Sequence, residues 1–124
     1  MLKHISLLFI LSLTTTGLSA QQEPWLKLNH DQIQRVMVDT EVAYKGESRV
    51  TQTFHGDGTT TYISGRPSLG KWQVRGNKYC SVWPPSESWS CFEIFQDQSK
   101  SWIRFVGERN DVWDGEIQKP KALD

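Results

Sequence analysis

The sequence predicts a mainly all-β fold, an antiparallel up-and-down meander of about eight strands forming a curled sheet or small barrel, with one short N-terminal helix. Three observations carry this reading. From about Thr40 onward, short alternating runs are broken by glycine-bearing or polar turns at regular spacing. The lengths of those turns set hairpin registers that gather apolar residues on one face and charges on the other. The same registers place Cys80 opposite Cys91 without that pairing being imposed.

The chain starts with Lys3, an apolar run from Ile5 to Leu13, a softer Thr14-Thr15-Thr16-Gly17 stretch and Leu18-Ser19-Ala20. That order reads as a secretory signal over residues 1–20, cleaved after Ala20. The apolar run is shorter than the roughly 20 residues a membrane span needs. No cysteine follows the cut for lipid attachment, so a soluble periplasmic or secreted product is expected. Residues 21–124 then form a single β-rich domain, too short for a second one. Loss of Lys3 leaves 13 basic against 14 acidic residues, so the basic footprint of a nucleic-acid binder or a polybasic membrane surface is missing.

Asn29 and Gln32 form a capping-box pattern, with Leu28 and Ile33 at the staple positions and an apolar stripe of Ile33, Val36 and Met37. This places a helix at about 29–38, covering one end or edge of the sheet. Strands follow at about 40–45, 49–55, 58–63, 70–75, 78–83, 89–95, 101–106 and 112–118.

A two-residue turn at Gly56-Asp57 pairs Phe54 with Thr59 and Val50 with Ile63, placing Phe54, Val50 and Ile63 inside. A two-residue Gly76-Asn77 turn sets Val74 against Tyr79 and Arg75 against Lys78. A four-residue turn at 84–87 sets Cys80 opposite Cys91, Tyr79 opposite Phe92, Val82 opposite Trp89 and Lys78 opposite Glu93. A four-residue turn at 97–100 sets Phe92 against Phe105, Ile94 against Ile103, Phe95 against Trp102 and Glu93 against Arg104. A five-residue loop at 107–111 then sets Phe105 by Trp113 and Arg104 by Asp114. The apolar row Val74-Tyr79-Phe92-Phe105-Trp113, joined by Trp72, Ile94, Ile103 and Ile117, is expected to face the core. Its opposite face carries the charges together with Trp89, Phe95 and Trp102.

In an oxidising compartment, Cys80 and Cys91 form a disulfide. Neither has a nearby histidine or the C-x-x-C spacing of a metal site. In the chain-entropy model, closing a loop of this size contributes roughly 3 kcal/mol. His55-Gly56-Asp57-Gly58 and His30-Asp31 are the histidine–acid neighbours, and tight-turn chemistry and a helix start account for them. No nucleophile sits in an activating context, and the pairs Glu41/Glu47 and Asp111/Asp114 fit turns and surface. The sequence therefore assigns no catalytic residue, no metal and no cofactor.

Tryptophan is abundant, with six in 124 residues. Trp72, Trp102 and Trp113 lie mid-strand, whereas Trp83 and Trp89 flank Pro84-Pro85 at a loop tip. Two readings stay open: the pair folds back over the disulfide, or Trp83, Pro84, Pro85 and Trp89 form a binding edge for a sugar, an apolar ligand or a partner protein.

Phe54-x-x-Asp57-Gly58-Thr59, Gly70-Lys71-Trp72, Tyr79-Cys80 and Trp89-Ser90-Cys91-Phe92, in this order over about residues 49–106, resemble an uncharacterised family of small exported proteobacterial proteins. The resemblance implies a periplasmic setting and a β-rich fold, and carries over no catalytic residue. The first two motifs are also similar to bacterial lipocalin-like domains, which are antiparallel barrels, although Gly70-Lys71-Trp72 lies mid-chain rather than on the first strand. The expected function is a non-enzymatic binding or interaction module, a monomer or weak homodimer, engaging a protein partner or a small apolar ligand. The alternatives are a secreted inhibitor or immunity-type protein, a lipocalin-like small-ligand carrier and, last, an enzyme on a small β-scaffold.

Overall fold

In the computed structural model the description covers residues 24–46 and 50–118, with Ser12 alone before them. The expected signal segment 1–20 otherwise lies outside the described residues. The elements are β1 (Leu26–Lys27), α1 (His30–Met37), β2 (Thr40–Tyr44), β3 (Thr51–Phe54), β4 (Thr59–Ser64), β5 (Arg66–Arg75), β6 (Lys78–Val82), β7 (Ser90–Gln96), β8 (Trp102–Gly107) and β9 (Val112–Gln118).

Strands β2 to β9 pair in sequence order, all antiparallel, and β9 returns to β2 through Val42↔Ile117 and Tyr44↔Gly115. The meander is thus a closed eight-stranded barrel, which removes the exposed edges of an open sheet. Strand β1 pairs with the far end of β7, through Leu26↔Gln96 and Lys27↔Phe95. No helix among the described residues is long and apolar enough to cross a membrane.

The helix begins as its sequence dictates. Asn29 accepts from the Gln32 amide at 3.0 Å and Gln32 accepts from the Asn29 amide at 2.9 Å, completing the capping box. Leu28, Ile33 and Met37 are buried. The His30 amide donates to Asn77 Oδ1 at 2.9 Å, and His30 Nδ1 lies 2.7 Å from the Gly76 carbonyl. Those bonds tie the helix to the β5–β6 turn, so its apolar face stoppers that end of the barrel against Val42, Phe54 and Trp72.

Cys80↔Cys91 and Tyr79↔Phe92 pair as expected, with the disulfide Cα atoms 4.1 Å apart. Val74↔Tyr79, Arg75↔Lys78, Phe105↔Trp113 and Arg104↔Asp114 also hold. The β6–β7 ladder ends at Tyr79↔Phe92 and Ser81↔Ser90, so Trp89 lies before the strand and Glu93 takes an ion pair with Lys27 at 3.4 Å.

Four expectations need correction. The β3–β4 turn takes three residues, not two, because the Asp57 carboxylate accepts from the Thr59 amide at 2.9 Å and Gly58 adopts φ +89. The register becomes Phe54↔Thr60 and Thr51↔Ile63, a one-residue slip that reverses every side chain of β4. Ile63, expected inside, is therefore 42% exposed, and Thr60 is buried in its stead, while Phe54 and Val50 are inside as read.

The β7–β8 loop closes at Asp97 rather than Gln96. Asp97 Oδ1 accepts from the amides of Ser101 at 3.0 Å and Trp102 at 2.9 Å, making it the loop's anchor. Ile94 consequently meets Phe105 rather than Ile103, Phe95 meets Arg104 rather than Trp102, Phe92 meets Gly107 rather than Phe105, and Glu93 meets Val106 rather than Arg104. A slip of two preserves the faces, so Ile94, Ile103 and Phe105 are still buried.

Strand β5 starts at Arg66, four residues earlier than read, because the chain reverses on Gly65 alone at φ +78. Trp113, expected in the core, is 49% exposed, since β9 begins at the end of the barrel that the helix does not fill.

Candidate functional site

The end opposite α1 holds a cavity of about 660 Å³. Every strand of the meander, from β2 to β9, contributes at least one residue to its lining.

The deepest lining residues are Gln52, Tyr79, Ser81 and Phe105, all buried. Alternation along β3 sends Gln52 inward between Val50 and Phe54. Its amide nitrogen donates to Thr60 Oγ1 at 2.9 Å and to the Tyr79 hydroxyl oxygen at 3.2 Å, and its carbonyl accepts from the Tyr44 hydroxyl at 2.5 Å. The Thr60 hydroxyl passes the chain on to the Thr53 carbonyl at 2.9 Å. No buried side-chain polar atom among the described residues lacks a partner, so the floor is rigid as well as polar.

Burial pushes the Tyr79 phenol up to about 12, with hydrogen bonds from Ser81 and Gln52 acting in the opposite sense. Burial likewise raises Tyr44, with smaller contributions from Tyr79 and Tyr62. Both phenols are neutral donors and acceptors at physiological pH.

Above this floor the walls are aromatic. Tyr62 meets the Trp83 ring edge-on, with centroids 6.0 Å apart and planes at 74°. Tyr44 packs on Tyr62 at 6.2 Å and on Phe105 at 6.0 Å. Trp83 is seated on the backbone of buried Gly70, where a Cβ would come within 2.7 Å of its ring. At the mouth stand Leu69, 66% exposed, with Pro84 and Trp113.

The structure divides the four residues of the expected binding edge. Trp83 and Pro84 line the cavity, and Pro85 is exposed at the loop tip. Trp89 lies apart from the cavity lining, half-buried, with the Arg75 guanidinium 4.4 Å above its ring. On the outward face, Arg104 donates to both Asp114 oxygens at 2.8 and 2.9 Å and covers Trp25 at 4.1 Å. The histidine–acid turn is satisfied internally: His55 Nε2 lies 2.8 Å from the Thr61 hydroxyl oxygen.

Tyr44, Gln52, Tyr62, Ser68, Leu69 and Ser81 are the lining residues that the sequence reading did not single out. Gln52 had a legible signal, a polar residue on the same strand face as Val50 and Phe54. Tyr62 had none, because its direction depends on the three-residue turn.

A scan of the chain against protein-family models finds no match, and searches of curated proteins and of solved structures find none either.

Proposed function

We propose that this protein is an exported, non-enzymatic binding protein that takes a small, largely apolar molecule into the open end of its barrel. The observation that carries the reading is the cavity itself. Its volume of about 660 Å³ falls within the range of pockets that enclose small organic ligands. Its lining is mostly aromatic and aliphatic, with a few polar groups converging at the bottom, the usual composition of such sites. A barrel filled by its own side chains would offer no such volume. The similarity of two motifs to lipocalin-like domains agrees with an antiparallel barrel, and the disulfide agrees with export.

The test is fluorescence titration with N-phenyl-1-naphthylamine, an uncharged apolar probe that brightens on leaving water. Saturable binding is expected, weakened at least about tenfold by Trp83→Ala and little changed by Trp89→Ala, which sits away from the cavity lining. Absence of saturable binding to the folded native protein would sink the reading.

A second reading, an inhibitor or immunity-type protein docking on an enzyme, is favoured by the exposure of Pro84, Pro85, Ser86 and Glu87 in one loop. It requires that substitutions at Pro85 and Glu87 abolish inhibition of that enzyme while the probe still binds.

A further inference from the structure

We infer that the cavity selects uncharged amphiphiles and holds them head-down, with a neutral hydrogen-bonding group on the Gln52–Tyr79–Ser81 floor and the apolar body directed to the mouth. This rests on the cavity reading above and adds the class and orientation of the ligand.

The polarity of the site runs opposite to that of a simple greasy hole. Of the four buried lining residues, Gln52, Tyr79 and Ser81 carry polar groups. Of the lining residues most exposed, Leu69, Pro84 and Trp113 are apolar, and Ser68 is the exception. An apolar chain pushed to the bottom would strip the floor's oxygens of any partner beyond those they already have. The same chain between Trp83, Trp113 and Leu69 covers surface that is otherwise wet.

The floor also defines what kind of head it can take. Both amide hydrogens of Gln52 are spent on Thr60 and Tyr79, and its carbonyl accepts from Tyr44. What remains is the second lone pair of that carbonyl, the Tyr44 oxygen, the Tyr79 O–H as a donor and the lone pairs of the Ser81 hydroxyl beside it. These are acceptors and donors side by side, matching a group that both gives and takes a hydrogen bond, such as an alcohol or a primary amide. None of the described residues lining the cavity is acidic, basic or histidine. A carboxylate or ammonium lowered to this depth would therefore be buried without a counter-charge, an expensive arrangement in a low-dielectric interior. Held at the mouth instead, the same charge would remain in water and lose little.

That difference makes ionic charge a reporter of orientation. The experiment is displacement of N-phenyl-1-naphthylamine from the native protein at neutral pH by 1-decanol, decanoate and decyltrimethylammonium, which share a chain and differ in the head. Decanol is expected to compete at least about tenfold better than either ion. In Ser81→Ala, the advantage of decanol over the ions is expected to shrink several-fold, since one floor hydroxyl is gone. Equal competition by all three, or better competition by either ion, overturns the head-down inference while leaving the cavity as a binding site. Failure of the probe itself to bind overturns both readings.

Discussion

Trp83 rests against Gly70 so closely that a Cβ at residue 70 would stand 2.7 Å from the indole Cε3 and 2.9 Å from Cδ2. The ring is a fused plane, not a flexible tip, so it cannot yield by a few tenths of an ångström. Gly70→Ala is expected to swing the indole off Tyr62, destabilise the barrel by about 1–3 kcal/mol through overpacking and weaken probe binding. Urea unfolding followed by probe titration of the folded variant separates the two effects.

Reduction of Cys80–Cys91 removes a cross-link that pairs the outward face of β6 with β7, away from the cavity. Stability should fall by about 2–4 kcal/mol, the usual range for such a bridge. The reduced protein, kept below its unfolding temperature, is expected to bind the probe with unchanged affinity. Calorimetry with and without dithiothreitol, paired with titration, checks both halves.

Asp97 anchors the β7–β8 loop. Burial disfavours its charge, but bonds from the Ser99 hydroxyl and the amides of Trp102 and Ser101 outweigh that and hold the carboxyl below the usual carboxylate range. A depressed pKa means the stabilisation is fully present above the unfolded value of about 3.9. It is lost as the pH falls through the lower folded value. Asp97→Asn should cost about 1–3 kcal/mol at neutral pH and flatten the dependence of stability on pH below about 4. An Asp97→Asn variant whose acid limb matches that of the native protein would rule this out.

The two floor phenols work at the other end of the scale. A raised pKa means that stability is complete below the unfolded tyrosine value of about 10. It declines as the pH climbs through the folded value of about 12 for Tyr79. Alkaline titration by phenolate absorbance should show Tyr44 and Tyr79 silent until the barrel opens, and Tyr79→Phe should lessen the loss of stability between those two pH values.

Much of the architecture is written in local chemistry. Asn29 and Gln32 define the helix start, and the Gly76-Asn77 turn fixes Val74 on Tyr79 and leads to the disulfide rung. Where expectation and structure part, two side chains decide the outcome. Gly56-Asp57-Gly58 can close a hairpin in two residues or three, and the Asp57 bond to Thr59 selects three. That single residue turns Tyr62 into the cavity and Ile63 out of it. Asp97 reads as a turn residue but serves as the closing rung, which shifts β8 by two and changes partners without changing faces. Closure of β9 on β2 joins residues more than seventy positions apart, and no local pattern encodes it. Whether the barrel is full or hollow depends on the same long-range geometry. Tyr79 and Phe105 are deep enough to make a floor, and Trp113 is too near the mouth to fill the space above it.

Among the described residues, the stopper formed by α1 leaves the barrel one neck. Met37 and Ile33 are fully buried at the far end, so nothing can pass through from one side to the other. Arrival and departure of the proposed ligand would share the doorway framed, among the described residues, by Leu69, Pro84 and Trp113. In the proposed carrier an occupant would have to leave before a successor entered, so exchange would proceed at the occupant's own escape rate however concentrated the competitor. Among the described residues the barrel has the form of a flask rather than a pipe, and the residence time of the proposed ligand would be set at the lip.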